Sequence, residues 1–342
     1  MTGVATEQIR AVLAAEPGAD GDPGVPGRLG EITTADLPDG DVTVRVRYSS
    51  LNYKDGLAVT GRGRIARRFP MVCGVDLAGT VIETGSDRVR VGDDVVVTGF
   101  GLGEDRFGGF ADVARVRSEW VVPLPSGLDH RLAMAIGTAG LTAMLCVMAL
   151  EHGGLRPSSA GGRPIVVTGA AGGVGSVAVA LLARLGYDVA AVSGRPEQEP
   201  YLKHLGAREV VARSELAGGP KRPLEHQRWA GGIDAVGGRV LAAVLSQTAY
   251  GGVVAATGLA GGADLPTTVH PFILRAVTLS GVESVRLPVD KRRVAWARLA
   301  DELDRDLLAE MIVDADLTEV VRLAAEIVDG RVRGRVVVAV DP

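Results

Sequence analysis

Hydrophobic and polar positions follow two different periods along this chain, and the change falls near residue 131. Before it, short apolar stretches alternate with polar ones. Asp41 to Tyr48 (DVTVRVRY) alternates residue by residue, as a half-buried strand does. SSLNYKDGLAVTG follows and reads as a turn and then a short helix. Phe69 to Cys73 leads into GVDLAGTVIETG, a strand bounded by glycines. VGDDVVVTGFG at 91–101 predicts a turn and a strand, and FGGFADVARVRSEWVVPLP at 107–125 two more short strands. Strands at this density predict a β-rich, barrel-like N-terminal domain. Residues 1 to about 40 are rich in Gly, Pro and Asp, and DGDPGVPG at 20–27 reads as a surface loop.

Beyond residue 131, helical and strand periods alternate. The apolar run Ile165 to Val167 breaks into a glycine-rich turn, then Ser176 to Leu185 takes an apolar-faced helical pattern, and Asp188 to Val192 returns to strand. Strand, glycine turn, helix and strand within about 30 residues make a βαβ unit. Tyr201 to Leu205 and Arg239 to Gln247 continue as helices; Glu209 to Ala212, GGIDAVGG at 231–238, Gly252 to Thr257 and Thr278 to Val282 as strands. That order predicts a doubly wound parallel sheet. Residues 290–312 and 317–329 read as amphipathic helices, and Arg333 to Val340 as a closing strand.

The glycine turn fits G-x-G-x-x-G as Ala170-x-Gly172-x-x-Gly175, with alanine in the first place. Such a turn lets backbone approach a pyrophosphate at a helix N-terminus; a tight turn serving only packing is the other reading. The end of the second strand discriminates between cofactors. NAD is favoured by a carboxylate that accepts from the ribose 2′-hydroxyl, and here the residues are Val192-Ser193-Gly194-Arg195. A hydroxyl and a guanidinium suit a 2′-phosphate, so the expectation is NADPH, with a solvated loop arginine as the alternative. Lys203 and Arg213 are further candidate cations.

Composition narrows the class. Hydrophobic residues make up 46% and charged residues 23%, which suits a folded chain rather than a disordered one. A net charge of -4 argues against a general nucleic-acid footprint. The N-terminal MTGVATEQIRAVL has no apolar core of signal-peptide type. Leu132 to Leu150 is long enough by count to span a membrane, but Gly137-Thr-Ala-Gly140 in its middle predicts two shorter buried pieces, so no membrane association is expected. The two cysteines, Cys73 and Cys146, make neither metal spacing nor a disulfide framework, which points to a reducing cytoplasm. The five histidines show no metal spacing either.

SSLNYKDGLAVTG, FPMVCGVDLAGTV, GTAGLTAMLCVMALE, VVTGAAGGVGSVAVALLARLGY, VSGR, YLKHLGA, YGGVVAATGLAGG, LPTTVHPFILRAVTLSGVES and RGRVVV together resemble the zinc-free, quinone-oxidoreductase-like branch of the medium-chain dehydrogenase/reductase superfamily, and within it the acrylyl-CoA reductase type. The resemblance runs from about residue 42 to the end of the sequence. It implies an α/β protein with a GroES-like β-barrel domain (1–131), a Rossmann domain binding NADPH (132–275) and a return to the catalytic domain (276–342), the active site lying in the cleft between the domains. It also implies cofactor contacts from Tyr53, Thr138, Ala171, Gly172, Gly173, Val174, Gly175, Ser193, Gly194, Arg195, Leu259, Ile273, Ser284 and Arg335.

The implied reaction is NADPH-dependent reduction of a short 2-enoyl-CoA, acrylyl-CoA in the first place, with a quinone or enone as the alternative substrate. A non-catalytic NADPH-binding protein is the alternative from another class. Where zinc-dependent relatives carry catalytic ligands, this chain has Asn52-Tyr53-Lys54-Asp55 and Gly74-Val75-Asp76, so no metal is expected. The family places the tyrosine beside the nicotinamide. Two roles are open to Tyr53, proton donation and positioning, and two to Asn52, substrate orientation and turn capping. Lys54 and Asp55 could form a structural pair. Cys73 is either a reactive thiol or a small packed residue. Arg62, Arg64, Arg67 and Arg68 form a cluster that suits the phosphates of a coenzyme A thioester or, as plainly, a solvated surface. The resemblance also implies a homodimer joined through the sheet-edge strand at Ala276 to Ser284.

Overall fold

The structure, a computed structural model, describes residues 7–14 and 26–341. Residues 20–25 of the expected glycine-proline loop lie outside them. The chain divides into two compact units. The first takes the chain up to Thr138, Val285–Ala300 and the chain from Ala309; the second takes Ala139–Ser284 and Asp301–Leu308. The expected boundaries had been 131/132 and 275/276.

In the first unit the alternating pattern becomes strands. β1 (Gln8–Ala14) and β2 (Arg28–Thr33) flank the segment 20–27 read as a loop, and no strand was expected at either place. β3 (Val42–Leu51) leads directly into α1 (Tyr53–Thr60), and β4 (Met71–Val72), β5 (Asp76–Thr84), β6 (Asp94–Thr98), β7 (Val113–Val116) and β8 (Val122–Pro123) follow. The expected strands therefore form, and β3 runs three residues past the alternating stretch that predicted it. Val42, Val44 and Val46 of β3 point inward and pack with Leu77 and Val81 of β5 and Val95 and Val97 of β6.

α2 (His130–His152) is the long apolar stretch; Gly137 breaks it with φ 50° and ψ -156°, giving the two expected pieces. It is long and apolar enough to cross a membrane, yet 72% of its most apolar window is buried inside the protein. The alternating second half then gives β9 (Ile165–Val167), α3 (Gly173–Arg184), β10 (Val189–Ser193), α4 (Glu199–His204), β11 (Glu209–Ala212), α5 (Ser214–Ala217), β12 (Trp229–Asp234), α6 (Gly238–Gln247), β13 (Thr248–Ala256), α7 (His270–Arg275) and β14 (Thr278–Gly281). The six strands of this unit pair in parallel in the order β11-β10-β9-β12-β13-β14. Chain order runs outward from β9 to one edge and from β12 to the other, so the switch point lies between these two strands. Parallel strands buried on both faces read as continuous apolar runs, as Ile165–Val167 and Val189–Val192 do.

The single helix expected at 290–312 is two helices, α8 (Val289–Glu302) and α9 (Arg305–Glu310). Asp304 ends the run: its Oδ1 accepts from the backbone N–H groups of Asp306 and Leu307 at 3.0 Å each, starting a new helix. β15 (Ile312–Asp316), α10 (Val320–Val328) and β16 (Arg335–Ala339) complete the chain. β15, β16, β3, β5, β6 and β8 lie in that order in the larger sheet of the first unit, with β7 against β3.

Gly79 marks how closely these strands meet. A Cβ there would sit 2.1 Å from the Arg45 carbonyl oxygen and 3.0 Å from a Val44 methyl. Backbone cannot yield as a side chain can. Gly79→Ala is expected to destabilise the protein by about 2–4 kcal/mol, within the range for overpacked or strained core positions. Urea denaturation checks this, and a loss under about 0.5 kcal/mol contradicts it.

Candidate active site

In the second unit, buried β9 ends at Val167, Thr168 follows, and Gly169 turns the chain with φ 61°. The Gly172 N–H donates to the Gly169 carbonyl at 3.0 Å, closing the turn, and Gly172 caps α3. A Cβ on Gly175 would lie 2.3 Å from the Gly169 oxygen, so the helix packs against the turn only through glycine. A Cβ on Gly172 would also sit close to the Gly169 oxygen, at 3.3 Å. Ala171 to Gly175 thus form a cradle of the kind that takes a diphosphate at a helix N-terminus. Two side chains fix it from behind. The Ser176 hydroxyl donates to the Ala170 carbonyl at 3.3 Å, and the Tyr201 hydroxyl donates to Ser176 Oγ at 2.9 Å.

The neighbouring turn is held by Asp234, at the end of β12 and fully buried. Its carboxylate accepts from Thr168 Oγ1 at 2.7 Å and from the Gly237 N–H at 2.6 Å. Burial raises the pKa of this group, while those donors oppose the rise. Leu259 lies in the loop after β13 with its side chain exposed, and the Gly261 N–H ties that loop to the Val236 carbonyl at 2.7 Å. The turns after β9, β10, β12 and β13 therefore gather at the carboxyl ends of neighbouring parallel strands, where this sheet class takes its ligands. Ser284 follows β14 and accepts from Thr142 Oγ1 at 2.9 Å. Ile273 stands on α7, before β14, and is 70% exposed.

At the end of β10, the Arg195 N–H donates to Ser193 Oγ at 3.1 Å, folding Ser193-Gly194-Arg195 into a compact turn. Parallel pairing of Ser193 with Ala212 brings the next residue, Arg213, beside Gly194. Its guanidinium lies across Gly194: a Cβ there would meet Arg213 Cζ at 2.7 Å. Sequence had left the placement of Arg213 open, and only the strand register settles it. Lys203 goes elsewhere; its Nζ donates to the Arg208 carbonyl at 2.5 Å.

In the first unit, Tyr53 opens α1 and is 40% exposed, directly after the N-cap Asn52. Behind it lies a buried polar cluster. Asp76 accepts from the Ser50 N–H at 3.1 Å, the Ser50 hydroxyl at 2.9 Å, Asn52 Nδ2 at 3.2 Å and the Thr138 N–H at 2.8 Å. Arg335, at the start of β16, donates to Ser50 Oγ at 2.7 Å, Asn52 Oδ1 at 3.2 Å and the Ala135 carbonyl at 2.8 Å. The Arg335 guanidinium is therefore committed to internal acceptors and only 2% exposed, and Thr138 enters the cluster through its backbone. Gly137 makes the approach possible. A Cβ there would strike Ser50 Oγ at 2.6 Å and Arg335 Nη2 and Asp76 Oδ2 at 2.8 Å each.

Asp55 does not pair with Lys54. The Lys54 ammonium meets Glu104 at 2.7 Å, whereas Asp55 is buried and accepts from the Asn52 N–H and the Val75 N–H at 2.9 Å each. Asn52 thus both caps α1 and bridges Asp55, Asp76 and Arg335. Its orientation fixes the first turn on which Tyr53 sits. Cys73 is fully buried, and burial pushes its thiol pKa well up, so it is a packed residue rather than a nucleophile. Among the described residues no group of three or more His, Cys, Asp or Glu is placed to hold a metal ion.

The four clustered arginines separate. Arg62 pairs with Asp329 at 2.5 Å, Arg64 is exposed, and Arg68 lies over the Phe107 ring at 5.9 Å. Arg67 alone lines a cleft, with Phe100, Gly101, Glu104, Asp105, Arg106, Trp120, Val285 and Arg286. Arg62 lies in the bend at 61–63 and the other three follow it, so neighbours in the sequence meet different surroundings.

Burial, and then the nearby Asp76 carboxylate, raise the Asp55 pKa from 3.8 to about 7 against three N–H donors. The native state then holds the proton more tightly than the unfolded chain. Its contribution to stability is present below about pH 4 and is lost as pH rises through about 7. The stability of Asp55→Asn relative to the parent is therefore expected to improve between pH 4 and pH 7, whatever the constant cost of the swap. Urea midpoints at pH 4.5 and pH 7.5 read this, and a difference that does not move with pH contradicts it.

Two protein families match the chain: the alcohol dehydrogenase GroES-like domain over residues 38–126, and a zinc-binding dehydrogenase family over 173–301. The acrylyl-CoA reductase AcuI of Ruegeria pomeroyi is 55% identical over 311 residues, covering 91% of this chain and 93% of that protein. The structure of Escherichia coli YhdH with bound NADPH superposes with a TM-score of 0.91 at 51% identity, covering 96% of this chain and 99% of that one. Bacillus subtilis YhfP with NAD bound superposes with a TM-score of 0.91 at 43% identity, covering 97% and 99%. The two-unit fold, the glycine cradle after β9 and these full-length likenesses agree, and the chain belongs to the medium-chain dehydrogenase/reductase superfamily, in its quinone-oxidoreductase-like branch.

Proposed function

We propose that this protein reduces the carbon–carbon double bond of acrylyl-CoA with NADPH, giving propanoyl-CoA. The observation that carries the cofactor is the end of β10, where Ser193 and Arg195 share one turn, the Arg213 guanidinium lies across Gly194 and no carboxylate is present. Two guanidiniums and a hydroxyl suit a 2′-phosphate. A carboxylate, the usual partner of an NAD ribose, has no counterpart at that strand end. Ala171 to Gly175 would hold the diphosphate by backbone N–H groups, with Leu259, Ile273 and Ser284 as further cofactor residues. The substrate is supported by the likeness to AcuI of Ruegeria pomeroyi at 55% identity.

NADPH, when bound, supplies the hydride that an enoyl thioester accepts at its β-carbon. Negative charge then develops on the thioester oxygen, and a hydrogen-bond donor fixed there stabilises it. Tyr53 is the half-exposed donor at the head of α1, and its phenol would serve that oxygen or pass a proton toward the α-carbon. The cluster of Asn52, Asp55, Asp76 and Arg335 acts through position, holding the first turn of α1 rigid beneath the tyrosine. Arg335 enters this reading as a positioning residue, since its side chain is spent internally.

We further place the protein in the cytoplasm as a homodimer joined through β14, which lies at the sheet edge with exposed residues at both ends. Size-exclusion chromatography with light scattering reads the dimer.

Removing the Arg195 or Arg213 guanidinium is expected to raise the KM for NADPH about 10–100-fold, the equivalent of one charged hydrogen-bonding partner, and to leave that for NADH nearly as it was. Equal effects on both cofactors count against the 2′-phosphate assignment. Tyr53→Phe is expected to lower kcat about 100-fold, the low end for a lost proton donor. A KM-only effect would reduce its role to positioning. The substrate itself is decided by NADPH consumption with acrylyl-CoA, crotonyl-CoA and benzoquinone; turnover of benzoquinone alone overturns the thioester reading.

A further inference from the structure

The cleft around Phe100 lies in the first unit and has a volume of about 260 Å³. Arg67, Arg106 and Arg286 line it, with two carboxylates, Glu104 and Asp105. The Lys54 ammonium meets Glu104 at 2.7 Å, so three guanidiniums and an ammonium gather here with two carboxylates. Its walls are fixed. Phe100 takes a left-handed conformation with φ 51°, which costs a non-glycine residue energy and persists only where the surroundings enforce it. Its N–H donates to the Val285 carbonyl at 2.9 Å, and its ring stacks on Trp120 with centroids 5.5 Å apart. Behind the wall lies Arg292, fully buried, with its guanidinium 4.4 Å from the Phe100 ring and donating to Thr98 Oγ1 at 2.7 Å and to the Val285 and Leu287 carbonyls at 3.3 Å. A buried cation thus binds the 99–106 loop to the 285–287 segment, and each side contributes arginine to the cleft. Arg106 lies over Trp120 at 5.0 Å, which restricts its head group.

We propose that this cleft binds the phosphate groups at the nucleotide end of the thioester substrate, with Arg67, Arg106 and Arg286 as the phosphate-binding residues. The inference rests on the acyl-CoA reading above. It differs from the run of arginines at 62–68 as a whole: of those four only Arg67 takes part, joined by two arginines distant in sequence. The chemistry asks for several anionic oxygens in one ligand. Coenzyme A carries a 3′-phosphate and a diphosphate, and rigid guanidinium forks suit them better than ammonium groups. The cleft also lies near the reacting residue in the same unit, since Lys54, which follows Tyr53, pairs with Glu104 on its wall. A pantetheine arm could then span from cleft to tyrosine without bringing charge near Tyr53.

The test compares kcat/KM for acrylyl-CoA with that for acrylyl-pantetheine, the same thioester without nucleotide, in the parent and in Arg67→Ala, Arg106→Ala and the double variant. The parent is expected to favour acrylyl-CoA, and the preference to fall about tenfold with each arginine removed, through KM rather than kcat. On the parent alone, adenosine 3′,5′-bisphosphate is expected to compete with acrylyl-CoA, while adenosine does not; this arm holds even where a variant folds poorly. Inorganic phosphate separates a general anion site from one that needs the nucleotide, and competition by phosphate equal to that by the bisphosphate overturns nucleotide recognition. An undiminished preference in the folded variants overturns the cleft and leaves the reductase reading intact. A parent that consumes NADPH with benzoquinone but with neither thioester overturns both.

Discussion

A buried guanidinium that must be compensated organises the first unit. Arg335 starts β16, Ser50 and Asn52 end β3 and cap α1, Asp76 starts β5, and Gly137 breaks α2; all meet at one point. Leaving water costs a cation and a carboxylate several kcal/mol each, and neither cost is recovered unless the partners have good geometry and every remaining donor and acceptor is used. Here Arg335 and Asp76 are bridged by the Ser50 hydroxyl and the Asn52 amide rather than by direct contact. Every element that supplies a partner is therefore fixed by the same requirement. The first turn of α1, with Tyr53 on it, inherits its position from that set.

The second unit solves the same problem on a smaller scale. Asp234 is buried at the end of β12, and its carboxylate is satisfied by Thr168 from β9 and by backbone N–H groups of the following turn. That ties the two strands at the switch point and sets the glycine cradle beside the Gly237 turn. Polar groups that make no contact with a ligand thus decide where ligand-binding backbone sits. Satisfied buried networks rigidify a site, while partly satisfied ones would loosen it.

Much of the fold was legible in sequence because its signals are local. The period-two strands of the first half, the buried strands of the second and the A-x-G-x-x-G turn are each contained in a dozen residues. β1, β2 and β15 escaped for the opposite reason: their pattern is not carried by a local motif, and β2 and β15 lie at sheet edges. The break between α8 and α9 was also missed, since an aspartate cap inside a helical period reads locally as one more polar residue. Among the candidate site residues, the cradle, Ser193 and Arg195 carry a local motif, and Tyr53 was named through resemblance. The arginines at 62–68 do not stay together: Arg62 pairs with Asp329 while Arg67 lines the cleft, because proximity in sequence does not fix where long side chains go.

The sequence by itself determined the class: a dinucleotide cradle, a strand end without a carboxylate, and two cysteines that form no metal pattern. These depend on residue type at short spacing, where the backbone leaves little choice. Only the tertiary structure decided what the charges do. Arg335 and Asn52 are 283 positions apart, and their contact makes Arg335 a buried support of the first unit. Arg213 reaches Gly194 because β10 and β11 pair in parallel register, and Arg106 and Arg286 join Arg67 because a buried arginine holds two loops together. A charged side chain is long and its energy depends on the atoms around it once water has gone, so its role is set by the packed fold and not by its neighbours along the chain.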